Sequence, residues 1–301
     1  GWRDSFELAR STFSYGVTGS FSDYTAKYTK CDNPTGLIGD PYVGKKYGEI
    51  WGYKVDGLFR NDKEAAEYAS RIDLSTVASG YYTATGAYGK GVRGGDIKYL
   101  DLNGDNIVNG GKGTLDDPGD RRVIGNSSPR YQYGASLNFS WYGFDVSVFM
   151  QGIGRLDWYP GADNLRFWGP YCRPYATFVP KNFMSQVWSE ENPDAYFPRA
   201  RAYTSLNSNS GTAYYTNDRY LQNLAYCRLK NLTIGYTIPR RLTSKVGIKE
   251  CRIYFSGENL ATWSALKSDF LDPEQAAADS DKKANVYPWC KTYSIGLNLT
   301  F

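Results

Sequence analysis

The nine residues from Tyr293 to Phe301 alternate without exception. Tyr293, Ile295, Leu297, Leu299 and Phe301 are separated by Ser294, Gly296, Asn298 and Thr300. Successive side chains of a strand point to opposite sides, so this segment has one wholly apolar face and one small, polar face. The rhythm recurs along the chain. Phe13, Tyr15, Val17 and Phe21 oppose Ser14, Gly16, Thr18, Ser20 and Ser22. Tyr131, Tyr133, Ala135, Leu137, Phe139 and Trp141 oppose Gln132, Gly134, Ser136, Asn138 and Ser140. After a turn at Tyr142-Gly143, the apolar set Phe144, Val146, Val148 and Met150 continues it, with Phe149 interrupting the polar face. Further stretches run through Leu232, Ile234, Tyr236 and Ile238, and through Ile253 and Phe255; Tyr47 to Phe59 is a weaker case. The fold class is therefore all-β and antiparallel.

Connections alternate in length. Tyr142-Gly143 and residues 239–250 are short, whereas 61–128, 157–218 and 262–287 are long. Short turns on one side and long loops on the other describe a transmembrane β-barrel with long extracellular loops. A secreted, lectin-like β-sandwich with long binding loops is the soluble alternative. Two short helices are expected inside the loops, at 62–71 with Asn61 or Asp62 as cap, and at 180–188 with a proline in the first turn.

The chain has no apolar run of about 18 residues, so a transmembrane helix is excluded. A mean hydropathy of −0.54 does not argue against a barrel, because only alternate strand residues meet lipid. The 27 Tyr and 8 Trp fit interfacial aromatic girdles, and ring stacking on sugars or peptides equally well. Histidine is absent, which removes Ser-His-Asp and Cys-His catalysis and His-ligated zinc. Adjacent acid pairs, Asp116-Asp117 and Glu190-Glu191, point to opposite faces of an extended backbone, and no enzyme is expected. Lys and Arg form no basic stripe, and no nucleic-acid partner is expected. The five cysteines are widely spaced. Pairing 227 and 251 in a hairpin about residue 243 would put Cys227 near position 259 and Cys251 near 235, too far apart for a disulfide.

Asp101-Leu-Asn-Gly-Asp-Asn-Ile-Val-Asn109 carries the clearest chemical pattern. Asp101, Asn103 and Asp105 stand at alternate positions, as at positions 1, 3 and 5 of a calcium-binding loop, with the Ile107 carbonyl at position 7. No Glu closes the loop at position 12, and Asp120 is the chosen closing carboxylate. The expected occupant is a structural Ca²⁺; no catalytic cofactor is expected. The competing reading is an Asx-turn loop whose carboxylates cap backbone amides.

Several motifs in fixed order carry a family resemblance: Tyr47–Phe59, Gly95–Asp105, Asp120-Arg-Arg-Val-Ile-Gly125, Pro129–Gly134, Arg228–Pro239 and Gly257-Glu-Asn-Leu260. Together they resemble the C-terminal part of SusC/RagA-type TonB-dependent outer-membrane transporters of Bacteroidetes. Residues 110–119, rich in glycine, depart from the compact form of that family's acidic loop. The resemblance implies that residues 1–301 form the C-terminal part of one plugged barrel of about 22 strands, with plug and TonB-binding segment elsewhere in a longer polypeptide. It implies import of glycans or peptides across the outer membrane with TonB-derived energy, beneath a SusD-like surface lipoprotein. A passive porin or a barrel enzyme is the alternative within the membrane. Phe301 is then the terminal aromatic read by the assembly machinery. Trp158, Tyr159, Arg166, Trp168, Tyr171 and Arg173, in an aromatic loop with Arg155, Phe167 and Tyr175, are the candidate contacts to substrate or lid; self-packing of the loop is the alternative.

Overall fold

The computed structural model describes residues 1–8, 11–83, 91–172, 179, 181–201, 206, 211–268, 270–278, 287 and 289–301. Seven long strands form one antiparallel sheet: β1 (Trp2–Leu8), β2 (Ser11–Ser22), β7 (Arg130–Trp141), β8 (Phe144–Arg155), β11 (Tyr226–Thr237), β12 (Glu250–Ser264) and β13 (Thr292–Thr300). They lie side by side in chain order. Each alternating segment from the sequence is a strand of this sheet, except Tyr47–Phe59. That stretch gives two short strands, β3 (Glu49–Tyr53) and β4 (Val55–Leu58), which pair outside the sheet with β6 (Arg121–Asn126) and β5 (Ile97–Tyr99).

Register makes the alternation of single strands into two continuous faces. Tyr15, Phe139, Val146, Ile234, Phe255 and Ile295 are direct neighbours across six strands. One residue along, Gly16, Asn138, Ser147, Thr233, Ser256 and Ser294 form the corresponding polar row. Ser147 Oγ donates to Asn138 Oδ1 at 2.6 Å within that row. A slip of one residue would exchange the faces, so the pattern itself fixes the pairing. The apolar side chains are uncovered within this chain; Ile295 is 84% exposed and Leu297 57%.

The connections sort by end. β7 and β8 are joined by Tyr142 and Gly143, with φ of 50° and 82°, the pair of positive angles a type I′ hairpin turn needs. β11 and β12 are joined at the same end by α4 (Arg240–Thr243) and a 3₁₀ turn, closed by left-handed Gly247. All connections at the opposite end are long. The β11–β12 register differs from the simple hairpin expected: Cys227 faces Trp263 rather than position 259, and Arg252 rather than residue 249 faces Thr237. The helical turn lengthens the connection, and an irregularity between Leu229 and Asn231 adds a further shift. All five cysteines are unbridged.

The long connections hold the hydrophobic core. Phe59, Tyr81, Ile97, Tyr99, Phe167, Trp168, Phe197 and Tyr220 are buried there together, with the short pair β9 (Asp157–Trp158) and β10 (Gln222–Asn223) among them. Helix α1 (Asp62–Ala69) forms where expected: Asn61 accepts from the Glu64 amide at 2.9 Å, and Glu64 accepts in return from the Arg60 amide at 2.7 Å. Helix α2 (Ser79–Thr83) follows it. The helix expected at 180–188 reduces to one 3₁₀ turn, Phe183–Gln186, whose Asn182 makes no side-chain cap. Without that cap the orphan amides of the first turn are unsupported.

On the polar face Asp145 of β8 and Arg252 of β12 reach each other across β11, with Nε–Oδ1 at 2.9 Å and Nη2–Oδ2 at 2.5 Å. Gly235 lies between them, and a Cβ there would stand 2.4 Å from Arg252 Nη2 and 2.5 Å from Asp145 Oδ1. Gly235→Val should therefore displace the pair and cost about 1–3 kcal/mol. Thermal unfolding of the folded protein in detergent is the measurement, and an unchanged midpoint would contradict this account.

Candidate functional site

The acidic loop is ordered by amides. Asp101 accepts from the Gly104 amide at 2.7 Å and the Asn106 amide at 2.9 Å, one on each oxygen. Asp105 accepts from the Ile107 amide and from Asn103 Nδ2, while Asn103 Oδ1 accepts from the Asp105 amide. Asp120, fully buried, takes the amides of Leu102, Asn103 and Asn109. The Ile107 carbonyl faces Asn109 Nδ2 at 3.5 Å. Among the described residues, no three His, Cys, Asp or Glu side chains are grouped to hold a metal ion. The oxygens of the candidate cage, Asp101, Asn103, Asp105, Ile107 and Asp120, all accept hydrogen bonds here, from backbone amides and from the Asn103 and Asn109 side chains, the pattern of the Asx-turn reading. A carboxylate oxygen that accepts one amide keeps a lone pair for a cation.

The loop is nonetheless a structural hinge-pin. Asp73 bridges to it through Asp73 N–Asn106 O at 2.8 Å and Val108 N–Asp73 O at 2.9 Å, which ties α1 and the following turn to the Asp120 anchor.

The aromatic contact candidates are mostly interior. Trp158, Tyr159, Trp168 and Tyr171 are buried. Trp168 packs edge-on against Phe167 and Tyr220, and its Nε1 donates to the Gly161 carbonyl at 3.0 Å. Tyr159 Oη bonds the carbonyls of Ala213 and Tyr215, both at 3.1 Å, and Tyr171 Oη that of Pro198 at 2.5 Å. Burial pushes the hydroxyls of Tyr159 and Tyr99 well above the usual phenol range. These four side chains therefore build the platform rather than present faces to a ligand. Arg166 is exposed on α3 (Leu165–Trp168). Arg173 and Tyr175 lie outside the described residues.

Two buried ion-pair networks, neither foreseen from spacing, lock the long connections. Arg201 Nη2 lies 2.6 Å from Asp96 Oδ2, both buried. Desolvation raises the Asp96 carboxyl to about 6, against the opposing pull of Arg201. Arg228, on the polar face of β11, bonds Asp272 and Glu274, each at 2.7 Å, and Thr262 Oγ1 at 2.9 Å. Lys230 adds a second contact to Glu274 at 2.8 Å. The segment around residues 272–274 is thus pinned over the polar face of the sheet.

A cleft of about 500 Å³ opens between residues 110–113, 159–162 and 214–216, with Trp51, Tyr53 and Arg121 on its walls. Its chemistry is aromatic and cationic, and it offers no nucleophile paired with a base. The arrangement suits binding.

No protein-family model matches the chain. It is 28% identical over 215 residues to TonB-dependent receptor P26 of Formosa agariphila, covering 69% of this chain and 20% of that protein. It is 25% identical over 267 residues to TonB-dependent receptor P3 of the same organism, covering 86% and 22%. The fold matches that of the RagAB peptide transporter with a TM-score of 0.55 at 17% identity, over 99% of this chain and 28% of that one. The RagAB peptide importer in the closed-closed state gives 0.54 at 17% identity, with the same coverage. A two-faced antiparallel sheet with its long loops at one end defines the class, and these likenesses identify the chain as a relative of SusC/RagA-type TonB-dependent transporters. The chain spans about a fifth of the length of the curated relatives it matches.

Asp120→Ala leaves three amides without their shared acceptor and should cost about 3 kcal/mol or more. Calcium or a chelator should leave the unfolding midpoint of the parent protein unchanged; a calcium-dependent rise would restore the cation reading. Arg228→Met leaves buried Asp272 unpaired and Glu274 with Lys230 alone, which should cost about 3–5 kcal/mol. Limited proteolysis should then cut residues 266–278 faster, and an unchanged cleavage rate would show that the network does not hold the segment.

Proposed function

We propose that this chain supplies the C-terminal strands and outer loops of a TonB-dependent outer-membrane importer for oligosaccharides or peptides. The observation that carries this is the sheet's two-sidedness. An apolar face runs across six of its seven strands, with Asp4 breaking it on β1, and every long connection leaves from one end. In a closed barrel the apolar face meets lipid, and the polar face lines the lumen. The unpaired outer edges of β1 and β13 join the remaining strands of about 22, since an open edge has no place in a bilayer.

In this reading the loop platform lies outside the cell beneath a SusD-like lipoprotein, and substrate is captured between them. Energy from TonB then rearranges the plug and opens a path along the polar face. The chain's part is binding and guidance, without covalent chemistry. The RagAB neighbour is described as a peptide transporter, which supports the peptide arm; glycans remain the other class.

Uptake by cells carrying the whole receptor tests this. Accumulation of the cognate oligosaccharide or peptide should require both TonB and a co-purifying surface lipoprotein. Ion conductance by the purified receptor without either partner would instead mark a passive porin. The face assignment is tested by a charge: Leu297→Arg should cost about 2–4 kcal/mol and lower the folded fraction in membranes, while Asn298→Arg should be tolerated. Equal yields of the two variants would overturn the assignment.

A further inference from the structure

The glycine-rich run Gly110-Gly111-Lys112-Gly113 belongs to the insertion that departs from the family's compact acidic loop, and the importer reading gives it no role. In the fold it forms one wall of the 500 Å³ cleft, with Arg121 beside it. The glycines are there for the guanidinium. A Cβ on Gly110 would stand 3.0–3.1 Å from Arg121 Nε, Cζ and Nη2, and one on Gly113 would stand 2.8 Å from Nη2. Side chains at either position would push the arginine out of place.

Arg121 is positively charged and, among the described residues, pairs with no carboxylate. Its Nη2 donates to the Gly110 carbonyl at 2.8 Å, and its enclosed Nε–H meets no acceptor. Two nearby acids, Asp117 of the insertion and Asp120 just after it, are engaged elsewhere. Both oxygens of Asp120 hold backbone amides, and Asp117 accepts from the Lys112 and Gly119 amides. Lys112, exposed, adds a second cation to the wall, and among the described residues no Asp or Glu lines the cleft. Trp51 and Tyr214 supply rings on the other walls. A guanidinium on a cleft wall without a carboxylate partner gains a charge-assisted bond when an anionic acceptor enters. The volume lies within the range of small-molecule sites.

We propose that this cleft binds a carboxylate-bearing ligand, with Arg121 and Lys112 on the carboxylate and the rings against its body. The proposal rests on the importer reading for the ligand's source, which is either an acidic oligosaccharide or the free C-terminus of a peptide. Both present the same planar anion, which suits the guanidinium fork.

The test is calorimetric binding to the purified full-length receptor with its lipoprotein. The probes are a trigalacturonate beside the neutral trigalactoside, and a tripeptide beside its C-terminal amide. At least one acidic probe should bind more tightly than its neutral counterpart, and which one does identifies the source. Arg121→Gln should weaken that probe by about tenfold or more and leave the neutral one unchanged. Lys112→Glu, at an exposed position that folding does not depend on, should weaken it as well, so the proposal stays testable if Arg121→Gln fails to fold. Neutral and acidic probes binding alike, no binding of either acidic probe, or affinity indifferent to Lys112→Glu would overturn the site. The importer reading is judged separately, since TonB-dependent uptake does not require this cleft to prefer an anion.

Discussion

Antiparallel backbone pairing across seven strands is the constraint on which everything else in this molecule rests. A strand alone has two faces; only a fixed register makes those faces continuous across a sheet. Here the rows are continuous for six strands, from Tyr15 to Ile295 on one side and from Gly16 to Ser294 on the other. The apolar side chains cannot be covered from within this chain, because the hydrophobic core lies in the loops. A surface of that extent needs an apolar environment. On the polar side, ion pairs cross strands or tie the sheet to the loops, as in Asp145–Arg252 and Arg228 with Asp272 and Glu274.

The long connections behave as a compact domain in their own right. Aromatic rings fill it, and their polar atoms bond backbone carbonyls, as Trp168 does with Gly161 and Tyr171 with Pro198. Interior rings of this kind give rigidity through edge-to-face packing. The amide-saturated Asp120 and the Asp96–Arg201 pair then fix the loops between the rings. A rigid platform above a polar sheet face lowers the ordering cost of binding, since little of the surface must be organised when a ligand arrives.

The strands were legible in the sequence because period 2 is a local signal: Tyr293–Phe301 and Tyr131–Trp141 announce themselves without reference to any other segment. The grouping of short connections at one end and long ones at the other was legible too, from the Tyr142-Gly143 turn against the long stretches. What failed depended on distant partners. Tyr47–Phe59 alternates, yet its partners are loop strands β6 and β5, which periodicity cannot identify. The 101–105 oxygens have calcium-like spacing, but that spacing is shared by cation loops and Asx turns, so spacing alone does not choose between them. Trp168 and Tyr171 looked available because composition does not report burial. Arg121 lay within the Asp120–Gly125 motif, but nothing in that motif marked it as the wall of a cleft.

The central claim, that the alternating faces meet lipid and lumen, is most directly tested by spin labels at adjacent positions of β13. In the full receptor with its native cysteines replaced by serine, a label at position 295 or at 294 would be read in lipid vesicles by its collision rates with oxygen and with a water-soluble nickel chelate. The account predicts that the label at 295 collides chiefly with oxygen and the label at 294 chiefly with the chelate, reversing again at 297 and 298. Labels at both 295 and 294 that meet the chelate equally would contradict it, because the strand would then lie in water on both sides.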